Sequence, residues 1–112
     1  MYGIDIKADK NRTLRFTINS MIQVKKDKGK DFGKLVSDLV VDNSFNIELL
    51  RYLYWLGLKW EDPELTEDKA GDIMDIIIYN EGIDGLVTHM ADAVTKALGA
   101  EQQNPIPDSK NQ

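Results

Sequence analysis

The sequence predicts a mainly α fold: a compact bundle of about five short helices with an N-terminal β-hairpin. Two patterns carry this expectation. Apolar residues alternate between Tyr2 and Phe16, and from Ile18 to Leu98 they recur at the i, i+3, i+4 spacing of helices. Length supplies the third observation. A chain of 112 residues holds one core, so residues 1–99 read as a single helical domain with its hairpin at about 2–17. Residues 100–112 lack periodicity, include Pro105 and Pro107, and read as a disordered tail.

In the hairpin, Tyr2, Ile4 and Ile6 share one side of an extended segment, with Gly3, Asp5 and Lys7 on the other. Asp9 to Arg12 supplies turn-forming residues, and Leu14 and Phe16 resume the alternation. Ile18, Met21 and Ile22 then form the stripe of a short helix that Gly29 ends. Asp31 is the expected N-cap of the next helix, whose apolar face is Phe32, Leu35, Val36, Leu39 and Val40. Asp42-Asn43-Ser44 breaks the pattern. Phe45 to Leu58 is the most apolar helix, greasy nearly all round. After an acidic loop around Pro63, Thr66 is the expected cap of a helix with Ala70, Ile73, Met74 and Ile77 inside. It ends near Asn80-Glu81-Gly82. A last helix runs from about Ile83 to Leu98, stopped by Gly99.

Charge is distributed unevenly. Residues 1–60 carry a net +4 and residues 61–84 a net −8, within a total of −5. Such a bipolar chain can attract its own copies head to tail, or simply present a clustered, solvated surface. With no cysteine, thiolate nucleophiles and cysteine-based zinc sites are excluded, and a reducing compartment is favoured. The N-terminus does not read as a signal peptide, and the apolar runs are too short to span a bilayer. Cytoplasmic residence without membrane association is the expectation.

Little catalytic chemistry is legible. His89 is the only histidine, which removes His–His metal pairs, and no motif gives it a nucleophile. Asp72 with Asp75, and Glu64 with Asp68, can share helix faces, but they lack calcium-loop spacing and suit a solvated surface. No glycine-rich phosphate loop occurs. The expectation is a protein that is not an enzyme and needs no metal or cofactor. An alternative reading is a small DNA-binding regulator, with residues 32–41 and 45–58 as a helix-turn-helix beside Lys25, Lys26, Lys28, Lys30 and Lys34. Its second helix has only Arg51 as a cation, so nucleic-acid binding is not expected.

The aromatics Tyr52, Tyr54, Trp55 and Trp60 cluster in sequence. Core packing accounts for most of them, yet Trp and Tyr also favour interfaces, and a small chain struggles to enclose so apolar a helix. Leu49, Tyr52, Trp55, Leu56 and Trp60 are therefore the candidate protein-interaction residues, and a homo-oligomer is expected.

The order of segments also carries a resemblance. Leu14-Arg15-Phe16-Thr17-Ile18-Asn19 is followed by a helix from Met21 to Gly29 and by Phe32-Gly33-Lys34-Leu35. Then come the apolar helix ending Leu50-Arg51-Tyr52-Leu53-Tyr54-Trp55-Leu56-Gly57-Leu58, the segment Trp60 to Gly71, and a closing helix ending Ala97-Leu98. Across residues 12–98 this layout resembles the tail assembly chaperones of long-tailed phages, prophages and gene-transfer agents. A departure lies in the first helix, where Lys25 or Lys26 holds a position usually acidic. The resemblance implies a mostly helical, self-associating assembly factor without catalytic residues. Its implied partner is the long tape measure protein, coated until tail tube protein polymerises around it, and the factor is absent from the mature virion. A longer form made by ribosomal frameshifting is common in that family.

Overall fold

Alternating apolar residues at the start of the chain pair as expected into an antiparallel hairpin, β1 (Ile4–Lys7) and β2 (Asn11–Leu14), with Ile4 opposite Leu14 and Ile6 opposite Arg12. The computed structural model describes residues 3–41 and 44–99. Tyr2, Asp42, Asn43 and the expected tail at 100–112 lie outside them. Ile6 and Leu14 are buried, which gives the two-stranded sheet the packing partner it needs.

Helix α1 (Ile18–Lys28) starts from a reciprocal cap: Thr17 accepts from the Ser20 N–H at 3.0 Å, and the Ser20 hydroxyl accepts from the Thr17 N–H at 3.1 Å. That box turns Ser20 inward, and Val24 one turn on is also buried. Ile18 and Ile22 follow the opposite phase and face outward, at 70% and 50% exposure. The expected inward stripe on this helix is thus corrected, with only Met21 of the three packed against the core.

Helix α2 (Phe32–Ser37) is shorter than its spacing suggests. Asp31 precedes it without a side-chain capping bond, its carboxylate lying 3.4 Å from Lys25 instead. Leu39 and Val40 are not helical. Val40–Val41 forms β3 and pairs antiparallel with β4 (Ser44–Phe45). Two adjacent β-branched residues favour extended backbone, which here overrides the helical spacing.

Helix α3 (Ile47–Leu58) is capped by Asn46, whose side chain accepts from the Leu49 N–H at 3.1 Å. Helix α4 (Glu67–Leu98) is capped by the expected Thr66, which accepts from the Lys69 N–H at 3.1 Å. Among the described residues there are therefore four helices and not about five, because the two expected C-terminal helices form one kinked element. The kink is Gly82, at φ 77° and ψ 175°, a conformation open essentially to glycine alone.

The core is built around α3. Leu50, Leu53, Tyr54, Leu56 and Leu58 are at most 1% exposed, enclosed by β2, by Ile73 and Ile77 before the kink, and by Leu86 and Met90 after it. Approach to the hairpin is so close that a Cβ on Gly57 would lie 2.6 Å from Leu14 Cδ1, and the Gly57 carbonyl accepts from the Arg15 N–H at 2.8 Å. The premise that one small chain cannot cover so apolar a helix is not met. Both arms of α4 fold over α3, and the case for a second chain cannot rest on that helix.

Gly82→Ala is expected to cost on the order of 1–3 kcal/mol of unfolding free energy, read by urea denaturation, because alanine must adopt a glycine-only conformation. An unchanged midpoint would refute the assignment of the kink to this residue.

Candidate protein-interaction surface

The five residues singled out by sequence do not form a free face. Leu49, Tyr52 and Leu56 are buried, while Trp55 and Trp60 are half-buried. Each aromatic is a fastening. The Tyr52 hydroxyl donates to Asp27 Oδ2 at 2.8 Å, joining α3 to α1, and burial next to Asp27 raises its pKa. The Trp55 indole donates to the Leu65 carbonyl at 2.7 Å, and the Trp60 indole to the Thr13 carbonyl at 3.0 Å. Cations cover their rings: Lys28 over Tyr52, Lys59 over Trp55 and Arg15 over Trp60, at 4.5–4.9 Å from the centroids. These contacts bind the chain to itself.

The acidic loop at 59–66 likewise has structural work that its composition does not reveal. Thr13 turns its N–H and C=O away from β1, and a third strand would take both. Glu61 accepts from that N–H at 3.2 Å and Trp60 donates to that carbonyl, so side chains occupy the outer edge of β2. Arg12, expected in the turn, is buried opposite Ile6. Its guanidinium donates to both oxygens of Asp9, at 2.8 and 2.9 Å, and reaches Asp62 at 3.4 Å. This fork pins the loop to the hairpin. Its only local signal is the three-residue spacing from Asp9; the contact to Asp62 comes from the fold.

Other singled-out residues are placed as follows. His89 is bonded to Glu81 at 2.9 Å across the Gly82 kink. Asp72 and Asp75 are exposed on the first arm of α4, and Asp68 pairs with Arg51 at 3.2 Å. No group of three or more His, Cys, Asp or Glu side chains that could hold a metal ion occurs among the described residues, nor does any helix long and apolar enough to cross a membrane. The helix that a DNA-binding reading would lay in a groove is α3, which lies inside the core.

What remains outside is a different apolar set. Ile18 and Ile22 stand out from α1, Ile47 from the start of α3 at 57% exposure, and Tyr79 from α4 at 89%. Ile78 and Ile83 are exposed as well, one before and one after the kink. Ile47 and Ile78 border a cleft of about 500 Å³ between α3 and the first arm of α4, whose rim includes Glu48, Asp68, Asp72 and Asp75. A second groove, of about 320 Å³, lies between α2, β4, α3 and the second arm of α4, with Leu39, Phe45, Met90 and Val94 in its lining.

Comparison with family models, curated proteins and solved structures gave no match.

Arg12 holds the Asp9 carboxyl down from 3.8 to about 2. A depressed carboxyl stabilises the fold above its ordinary pKa and loses that contribution as pH falls through the folded value. Asp9→Asn is therefore expected to be less stable than wild type at neutral pH, by about 1 kcal/mol, since solvent screens the exposed carboxylate. The gap should close as pH falls from 3.8 towards about 2, followed by urea unfolding at stepped pH. A gap independent of pH would refute the ion pair's role.

Proposed function

We propose that this chain is a non-enzymatic assembly factor of the tail assembly chaperone kind, which self-associates and holds the tape measure protein until tail tube subunits polymerise. One observation carries the reading. The fold encloses a helix as greasy as α3, yet leaves Ile18, Ile22, Ile47 and Tyr79 at 50–89% exposure. Large apolar side chains gathered on helix faces and bordered by charge fit surfaces that other proteins cover. The tape measure protein enters as client through the resemblance of the segment order over residues 12–98 to that family, and Trp55 and Trp60 are half-buried, their indoles bonded within the chain.

The interaction residues in this proposal are the exposed isoleucines and Tyr79. Leu49, Tyr52 and Leu56 belong to the buried core. Trp55→Glu is then a folding variant: it removes the indole bond to Leu65 and should lower stability as well as assembly.

Co-expression with a tape measure protein tests the function. The expected outcome is a soluble complex that co-purifies, from a client that precipitates when expressed alone. A client equally insoluble with and without this chain overturns the reading, as does light scattering that shows only monomer at high concentration. Retardation of DNA in a low-salt gel shift, without client binding, would favour the regulator instead.

A further inference from the structure

We infer that copies of this chain associate head to tail, with the outer face of α1 from one copy seated on the first arm of α4 of the next. The inference rests on the self-associating reading above and names the two surfaces involved.

On α1, Ile18, Ile22 and Lys25 follow one another up a single stripe, with Lys26 beside Ile22, opposite the buried Ser20 and Val24. On α4, Asp68, Asp72, Asp75 and Tyr79 form one exposed stripe, opposite the buried Ala70, Ile73 and Ile77. Ile78 lies beside Tyr79 and faces Ile47 across the cleft. Each stripe has an apolar end and a charged end, and the charges are opposite.

The spacings also agree. Ile18 to Lys25 is two helical turns, about 10 Å, and so is Asp72 to Tyr79. Along α1 the order is apolar then cationic, and along α4 it is acidic then apolar. An antiparallel approach therefore lays Ile18 and Ile22 against Ile78 and Tyr79 while Lys25 and Lys26 meet Asp72 and Asp75. Existing pairs offer little competition: Lys25–Asp31 and Arg51–Asp68 join exposed groups at 3.4 and 3.2 Å, and such pairs contribute little. The second copy is the occupant favoured because charge and apolar order match on one chain. Different stripes meet at the contact, so a copy bound through one stripe still presents the other, and association propagates into a ring or filament unless two copies satisfy both stripes reciprocally.

Charge reversal tests this with the full chain. Lys25→Glu with Lys26→Glu, and separately Asp72→Lys with Asp75→Lys, should each weaken self-association at least about tenfold in low-salt light scattering. Circular dichroism should show both variants folded. Mixed in equal amounts they should assemble again, since each supplies the complement of the other. The chain carrying all four reversals should assemble alone. Restoration in the mixture establishes the interface, and two folded variants that assemble like wild type overturn it while leaving self-association intact. Two variants that stay apart when mixed overturn it also. A wild-type chain that remains monomeric overturns the self-association reading together with this interface.

Discussion

Tyr54 lies on α3 without solvent exposure, and its hydroxyl donates to the carbonyl of Leu86 beyond the kink in α4. A buried phenol left without a partner would cost the desolvation of its hydroxyl, so this bond constrains where the second arm of α4 can go. Burial next to Glu81 raises the phenol's pKa, which keeps it a neutral donor. Everything else is arranged about that constraint. The Gly82 kink brings Leu86 and Met90 over one side of α3, Ile73 and Ile77 cover another, and Gly57 lets the hairpin close the end.

The loop after α3 completes the enclosure with polar chemistry. Arg12 is buried but forked onto Asp9 and close to Asp62, so its charge is compensated within the fold. Trp60 and Glu61 take the strand-edge groups of Thr13, which removes a place where another strand could pair. The acids of residues 61–84 thus have different roles. Glu61 and Asp62 hold the hairpin, whereas Asp68, Asp72 and Asp75 stand on an open helix face.

Local chemistry was legible and its long-range consequences were not. The hairpin, the Thr66 cap and the interruption at Gly82 each have a signal within a few residues. Val40 misled because helical spacing and β-branching gave opposite instructions, and the extended preference won. Ile18 and Ile22 misled because the Thr17–Ser20 box sets the phase of α1, and periodicity alone cannot tell which of two stripes faces inward. Leu49, Tyr52 and Leu56 stand as interaction candidates in the sequence because α3 is apolar on every side, and the fold buries them. Their burial comes from the side of α3 that α1 and α2 approach, where Tyr52 reaches Asp27, a packing that no local signal announces. Trp55 and Trp60 were half legible: their positions are partly open, while their indoles serve internal carbonyls.

The bend in α4 also divides labour along a single helix. The first arm turns its carboxylates and Tyr79 outward, whereas the second lines the groove beside Val36, Leu39 and Phe45. A straight rod would tend to merge those exteriors into one continuous strip. Bent at a single residue, the rod instead keeps the two exteriors apart, an acidic one before the bend and an apolar one after it.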